Sequence, residues 1–186
     1  MHNAPAFFYC LQKTERLHMF DIEKEIEEIL DISIFIPTHE LKGHCLSEHL
    51  LSDKDLQQKL RWMKVKNGDD ITLASRFFSQ EQALSAIYKL LVRNKEAIRK
   101  WRNTLDEPVL EIQGDFTEAV GEGLAKHTDC KTFFTLHGLR IVVIAGDSIG
   151  RAFYIKTAYP VNTFEDNDSI YDAMDEYWES QRKPRN

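Results

Sequence analysis

Two histidines and the two cations that follow them are the first side chains in this sequence that could carry chemistry. His44 and His49 stand five residues apart, and an imidazole can take up or release a proton near neutral pH. Lys59 and Arg61 stand ten and twelve residues beyond His49, where a cation could hold a phosphate and stabilise charge in a transition state. Such residues are also common on solvated surfaces, so a proton-transfer site and a plain basic face both remain open.

A third candidate lies near the other end of the chain, in the segment KTAYPV. On a β-strand, side chains two residues apart share a face, so Thr157 and Tyr159 are expected to project together while Lys156 points the other way. A threonine hydroxyl can orient a base edge or a phosphate oxygen, and a tyrosine can donate a hydrogen bond or stack on a base. Both residue types are also good strand formers, so the pair alone does not distinguish a site from sheet structure.

The first half of the chain has helical periodicity. FDIEKEIEEILD at 20–31 predicts an acidic amphipathic helix. Ser52 is a suitable N-cap for a helix whose apolar side chains are Leu56, Leu60 and Met63. Ser79 can cap a longer helix with a buried stripe that ends at Trp101 and a possible break near Asn94.

After Pro108 the period changes to that of strands. VLEIQGDF, KTFFTLHG, LRIVVIAGD and RAFYIKTAYP predict four strands separated by turns, with a hairpin around 145–148. SIYDAMDEYWES predicts an acidic C-terminal helix. The expected fold is α+β, with N-terminal helices packed on a C-terminal antiparallel sheet of about four or more strands.

The net charge of −6 is unevenly distributed along the chain. Residues 1–41 carry eight acidic and three basic side chains, and residues 160–186 carry seven acidic and three basic ones. Residues 52–102 carry twelve basic and six acidic side chains. The middle of the chain can therefore attract phosphate although the whole chain is acidic.

Several classes of site are disfavoured by what the sequence lacks. The three cysteines (Cys10, Cys45 and Cys130) show no CxxC spacing, which argues against a disulfide scaffold and a zinc site and favours a reducing environment. No phosphate-binding P-loop, dinucleotide fingerprint, HExxH or GxSxG motif occurs. No apolar run is long enough to span a membrane. A reaction that needs no metal and no cofactor remains.

An ordered series of segments resembles a known family. Their order is similar to that in the bacterial ribonuclease A-like toxin domains of contact-dependent growth inhibition proteins and other polymorphic toxins. The segments are, in chain order, GHCLSEHL, DLQQKL, ASRFF, IRKW and FYIKTAYP. The resemblance covers roughly residues 42–161. It implies a ribonuclease A-like catalytic module at 42–161. The polar loop THELKG marks the expected boundary with an N-terminal helical appendage at 1–41, and an acidic C-terminal helix or tail is expected at 162–186.

The resemblance also implies a reaction and a set of residues. It implies a metal-independent endoribonuclease that acts by 2′-hydroxyl transesterification and leaves a 2′,3′-cyclic phosphate. His49 would transfer a proton, and Thr157 and Tyr159 would complete the site. The family usually has arginine at the position of Lys59, so either Lys59 or the nearby Arg61 would supply the cation. Whether His44, Tyr159 or a water is the second proton-transfer group stays open.

The resemblance further implies partners and a place of action. The substrate would be RNA, with tRNA as one candidate. A cognate immunity protein would cover the basic cleft, and the domain would act in the cytoplasm of a target bacterium after delivery. Two alternatives stand beside this hypothesis. One is a non-catalytic RNA- or protein-binding module on the same scaffold, and the other is an unrelated α+β interaction domain.

Overall fold

A computed structural model describes residues 23–24, 26–27, 48–65, 71–104, 107–129, 131–145 and 153–182. In chain order its elements are α1 (Asp53–Trp62), β1 (Leu73–Phe77), α2 (Gln80–Arg93), α3 (Lys95–Thr104), β2 (Val109–Asp115), β3 (Gly121–Ala125), β4 (Phe134–Leu136), β5 (Gly138–Ala145), β6 (Phe153–Val161) and α4 (Phe164–Arg182). The expected α+β class is confirmed.

The strands form two antiparallel sheets of three strands, in the orders β1-β3-β4 and β2-β5-β6. The sheets meet where β1 contacts β6. The sequence predicted one C-terminal sheet and did not identify β1 or β3 as strands. The sequence of β3, GEGLA, has two glycines and no β-branched residue, so its strand character comes from pairing rather than from local preference.

The main core lies between the helices α2 and α3 and the sheet β2-β5-β6. Leu90, Leu91 and Ile98 are fully or almost fully buried against apolar side chains of these strands. The predicted interruption at Asn94 is confirmed, because α2 ends at Arg93 and α3 begins at Lys95. The Asn94 side chain donates to the Leu90 carbonyl at 2.9 Å, which satisfies a carbonyl group at the end of α2.

A β-bulge in β6 decides which of its side chains face this core. Val142 pairs with Thr157 but Val143 pairs with Ile155, so Lys156 is the extra residue. Ile155, before the bulge, and Ala158, after it, are both buried in the core. A shift of one residue exchanges the two faces of a strand. The bulge therefore turns Thr157 and the residues that alternate with it away from the main core.

The junction of the two sheets depends on a glycine. A Cβ atom at Gly121 would collide with the Arg76 carbonyl oxygen and with the ring of Pro160, so only glycine lets β3 approach β1 and β6 this closely. Pro160 lies on the edge strand β6, where the missing N–H group removes no bond from the sheet centre.

Helix α4 closes one side of the sheet β1-β3-β4. Ile170 is fully buried with Ile71, Ala125 and Phe134, and the predicted C-terminal helix is confirmed with a start at Phe164. Near the other end of the chain, residues 23–24 and 26–27 are helical, Ile26 is buried in the main core, and Glu23 pairs with Lys95 at 2.6 Å. The division at residues 41 and 161 stays a prediction. Among the described helices, none combines the length and the apolar character that crossing a membrane requires.

Candidate active site

A cleft of about 490 Å³ lies between α1, β1 and the sheet β2-β5-β6. Residues from five elements or their flanking loops line it, including His49, Lys59, Ser75, Gln113, Arg140, Thr157 and Tyr159. Four of these (His49, Lys59, Thr157 and Tyr159) are the principal site residues that the sequence suggested. The structure thus brings together side chains that are up to 110 positions apart, from His49 to Tyr159.

His49 is held against the outer edge of β1 by two contacts. Its backbone carbonyl accepts a hydrogen bond from the Phe77 N–H at 2.8 Å. Its ring Nδ1 lies 3.4 Å from the carbonyl oxygen of Ser75. Because a carbonyl can only accept, this contact favours the tautomer with the proton on Nδ1. Nε2 is then the basic nitrogen, and it lies on the side of Thr157.

Thr157 and Tyr159 form the wall of the cleft opposite β1. The Thr157 Oγ1 lies 3.5 Å from His49 Nε2, at the outer limit of a hydrogen bond. The Tyr159 ring stacks on the imidazole with a centroid distance of 5.3 Å and an interplanar angle of 20°. His49 and Thr157 are buried, with 7% and 9% of their surface exposed. The imidazole is therefore held in a fixed orientation from two sides.

Lys59 reaches the cleft from α1. Ser52 caps this helix by accepting from the Asp55 N–H at 3.2 Å, and Leu56 and Leu60 are buried beneath it. The Lys59 ammonium donates to the Glu48 backbone carbonyl at 3.0 Å and lies 3.8 Å from the Glu48 carboxylate. Burial lowers the pKa of Lys59, and the charge of Glu48 opposes this shift only in part.

Arg61 lies on a different face of α1. Five residues separate it from the buried Leu56, which corresponds to a rotation of about 140° around the helix. Arg61 lines another depression, outside the cleft, together with Lys54, Gln57, Gln58 and the exposed Trp62. Of the two cations considered from the sequence, Lys59 is the one beside His49. His44 lies outside the described residues, so its position is not described.

Arg76 anchors the loop that carries His49. Its guanidinium contacts Glu122 on β3 at 2.5 Å, Asp53 on α1 at 2.7 Å and the Leu51 carbonyl at 2.7 Å. Burial disfavours the charge, but the hydrogen bonds that the guanidinium donates to these two carboxylates prevail and raise the pKa of Arg76. The sequence showed this arginine only as part of ASRFF and gave no reason to single it out.

Two further side chains of the cleft, Arg140 and Gln113, were not identified from the sequence. Arg140 is half-buried on β5 and donates from Nε and Nη2 to the Gln113 Oε1 at 3.2 and 3.0 Å. A signal was present, because Arg140 is the polar residue within the apolar run LRIVVIAG. On a strand with one buried face, such a residue marks the other face.

No group of three or more histidine, cysteine or acidic residues that could hold a metal ion occurs in the described parts of the chain. Among the residues that the structure describes, the lining of the cleft includes one imidazole (His49), one carboxylate (Glu48) and two cations (Lys59 and Arg140). Its chemistry is thus that of a proton-transfer group beside positive charge, which suits an anionic substrate that gains charge in the transition state.

The fold has a counterpart among solved structures. A chain of the crystal structure of the CdiA-CT/CdiI complex from Y. kristensenii 33638 matches with a TM-score of 0.54 and 20% sequence identity, covering 64% of this chain and 99% of its own. At this identity the likeness shows the fold. A search of curated proteins gave no significant match.

The family follows from the sequence itself. The sequence model of the family described as Bacterial CdiA-CT RNAse A domain matches residues 43–160, well over half of the chain. The chain belongs to this family, and its coarse function is that of a nuclease-like toxin domain. The resemblance proposed from the ordered segments is confirmed.

Proposed function

We propose that this domain is a metal-independent endoribonuclease toxin that cleaves RNA by transesterification. A base removes the proton of a ribose 2′-hydroxyl, and the oxygen attacks the adjacent phosphorus. The bond from phosphorus to the 5′-oxygen breaks, and a general acid protonates that oxygen as it leaves. The products are a 2′,3′-cyclic phosphate and a free 5′-hydroxyl. Every step is proton transfer or charge stabilisation, which the cleft residues can supply.

The observation that carries the proposal is the state of the His49 ring. Its Nδ1 faces the Ser75 carbonyl at 3.4 Å and its Nε2 lies beside Thr157 at 3.5 Å, within the cleft. This orientation leaves the basic nitrogen on the side where a substrate can bind. His49 is accordingly proposed as the principal proton-transfer residue, with Thr157 orienting it and Tyr159 as the neighbouring group that can exchange a second proton.

Lys59 is proposed to stabilise the extra negative charge on the phosphorus-bound oxygens. Its ammonium now contacts Glu48, so a phosphate would compete with that carboxylate for the same donor. Lysine lacks the bidentate fork of the arginine that the family usually has there. The presence of lysine rather than arginine at this position also favours a second candidate function, in which the domain binds RNA or a protein without cleaving it.

The partner and the place of action are part of the same proposal. The similar chain comes from a complex of a CdiA-CT with CdiI, and a nuclease toxin needs an inhibitor in the cell that produces it. We infer a cognate immunity protein whose acidic residues cover the basic cleft, and action in the cytoplasm of a target bacterium after delivery.

The test is cleavage of total RNA and of tRNA by the purified protein in EDTA, with detection of 2′,3′-cyclic phosphate ends. His49→Ala should abolish cleavage with an unchanged circular dichroism spectrum and melting temperature. The matched control is His127→Asn. His127 lies outside the cleft against Trp178 and has a positive φ of 62°, which asparagine tolerates.

Each outcome has one meaning. Cleavage that survives His49→Ala in a folded protein would overturn the catalytic assignment. Binding of RNA without any cleavage would favour the non-catalytic module. If the protein neither binds nor cleaves RNA, only the protein-binding form of the second candidate would remain.

A further inference from the structure

The cleft continues beyond His49 along one row of side chains that crosses the sheet β2-β5-β6. Arg140 on β5 is the register partner of Tyr159 on β6 and also of Gln113 on β2. Residues directly opposite one another in antiparallel strands lie on the same face with adjacent side chains. Tyr159, Arg140 and Gln113 therefore form a polar row that leads outward from the stacked His49 ring, and all three line the cleft.

The β-bulge in β6 is what completes this row. Ile155 faces the core before the bulge, and in a regular strand, with Lys156 paired like its neighbours, the alternation would carry Thr157 and Tyr159 to the core face as well. With the bulge, Ala158 takes the core position opposite Ile141 and Tyr159 comes to lie beside Arg140. The same backbone irregularity thus places both Thr157 and the inner end of the row in the cleft.

Arg140 differs from the other cleft cation in its partner. Lys59 contacts a carboxylate, that of Glu48. Arg140 contacts the neutral amide of Gln113, whose oxygen accepts from both Nε and Nη2. A guanidinium carries five N–H donors, so within the described residues three of them make no hydrogen bond. Gln113 fixes one edge of the guanidinium without neutralising its charge, which is the arrangement that suits an anionic ligand.

The surroundings limit where that ligand can lie. Glu111 and Asp115 stand two residues to either side of Gln113 on the same face of β2, and both are exposed. No ion pair joins them to Arg140 in the described part of the chain. A phosphate at the Gln113 end would be repelled by these carboxylates, whereas one between Arg140 and Tyr159 would lie beside the reacting phosphate.

We propose that Arg140, oriented by Gln113, forms a subsite for the RNA phosphate next to the scissile one. This rests on the proposed function, because it takes RNA as the substrate. A single strand would cross β6 and β5 along the row, with its scissile phosphate at His49 and Lys59 and the neighbouring phosphate at Arg140. Arg140 is then a substrate-binding residue that sets how tightly a longer strand binds, and Gln113 is a positioning residue.

The test compares substrates with and without the additional phosphate. The substrates are a mixture of dinucleoside monophosphates, which contain only the scissile phosphate, and single-stranded oligonucleotides of mixed sequence. Arg140→Gln should raise KM for the oligonucleotides about tenfold, as expected for loss of a charge-assisted contact, and leave their kcat unchanged. For the dinucleoside monophosphates neither constant should change by more than about twofold. Arg140→Lys should restore part of the loss, and Gln113→Leu should give a smaller rise in KM.

A binding measurement separates this proposal from the proposed function. In a His49→Ala background, the Kd for a fluorescent oligonucleotide is measured against salt concentration with and without Arg140→Gln. Loss of one phosphate contact should lower the slope of log K against log salt by about 0.7 for a single strand. This measurement does not need cleavage, so it can support the subsite even if the wild-type domain proves inactive.

Arg99→Gln is the matched control, because Arg99 is a partly exposed arginine of α3 whose partner is Glu96. If Arg140→Gln behaves like Arg99→Gln in both KM and salt slope, the subsite is refuted. A large fall in kcat for dinucleoside monophosphates would also refute it, since Arg140 would then act on the scissile phosphate itself.

Discussion

Two histidines of this domain are held through the same ring nitrogen but by different partners. His49 Nδ1 lies 3.4 Å from a neutral carbonyl, that of Ser75, whereas His137 Nδ1 lies 2.7 Å from the Asp166 carboxylate. The second contact is shorter and charged, and in isolation it is the one that looks like part of a catalytic dyad. The surroundings of the two rings suggest the opposite assignment.

Asp166 is fully engaged in joining α4 to the sheet. Its carboxylate accepts from the Thr163 N–H at 2.9 Å and from the His137 N–H at 3.0 Å, in addition to the His137 ring. Thr163 in turn accepts from the Asp166 N–H at 3.1 Å, which completes a reciprocal N-terminal cap. These three residues form what we call the helix clamp, and none of them lines the cleft.

A strong hydrogen-bond partner of a histidine is therefore not evidence of catalysis. A carboxylate that accepts three hydrogen bonds stabilises the folded state and leaves the ring little freedom to act on a substrate. The weaker contacts of His49 orient the ring while its Nε2 lies in a cleft that also contains a cation. Substitutions in both regions test this division, in which changes in the cleft affect activity and changes in the helix clamp affect stability.

The largest expected effect comes from exchanging the two histidines for glutamine. His49→Gln should lower kcat/KM for RNA by about a thousandfold, in the range of a lost general acid or base, with the melting temperature little changed. His137→Gln should lower the melting temperature. At temperatures below its unfolding transition, its kcat/KM should stay within about threefold of the wild-type value. The measurements are initial cleavage rates and thermal denaturation of both proteins. The reverse pattern would mean that His137 and Asp166 belong to the catalytic machinery.

The next effect concerns the cation of the cleft. Lys59→Met keeps the length and the apolar stem but removes the charge, and it should lower kcat about a hundredfold, as loss of one transition-state donor does. Lys59→Arg should retain activity within about tenfold, since arginine keeps the positive charge and adds a bidentate fork. Lys54→Met, on the outer face of the same helix, is the matched control. Equal activity of Lys59→Met and Lys54→Met would exclude Lys59 from the site.

On the clamp side, Asp166→Asn should reduce the free energy of unfolding by about 2 kcal/mol, because an amide NH₂ would then face backbone donors. Urea denaturation measures this loss, and RNA cleavage below the transition should change by less than about twofold. Asp168→Asn, an exposed change two residues further along the same helix, should have little effect on either. A strong loss of cleavage at normal stability would remove the distinction between clamp and cleft.

Asp166 should also make the stability of the fold depend on pH. Burial disfavours the Asp166 carboxylate, but hydrogen bonds from His137 and Thr163 outweigh it and lower the pKa of Asp166 below its ordinary 3.8. The stabilisation is therefore present above pH 4 and lost as the pH falls through the lowered pKa. Wild-type stability should drop more steeply below about pH 4 than that of Asp166→Asn. Parallel curves for the two proteins would show that the carboxylate does not contribute.

Part of this division could be read from the sequence. Ser52, Leu56 and Leu60 predicted α1 and its buried side correctly, and Ser79 and Asn94 predicted the ends of α2, because capping and helical periodicity are local properties. The same helical periodicity could also have chosen between the two cations, since Lys59 is three residues from Leu56 and Arg61 is five. The sequence interpretation left that choice open.

The rest depends on contacts between distant segments. Every second residue from Phe153 to Tyr159 would share one face of a regular strand. Nothing local therefore shows that a bulge turns Thr157 and Tyr159 away from the core. The bulge appears only in the pairing of β6 with β5. Glycine-rich β3 likewise becomes a strand only between β1 and β4. Arg140 gains its significance from two register partners that no local pattern reveals.

The smallest expected effect tests how far the cleft orients His49. Thr157→Val preserves the volume of a buried side chain but removes the hydroxyl that lies 3.5 Å from Nε2. Because this contact is long and uncharged, its loss should lower kcat only about fivefold, the value of a modest hydrogen bond. Thr157→Ser should recover most of that loss, which a purely structural role would not predict. If Thr157→Val left kcat unchanged, Tyr159 and Ser75 alone would hold the imidazole. If it lowered kcat as much as His49→Gln does, the hydroxyl would instead take a direct part in proton transfer.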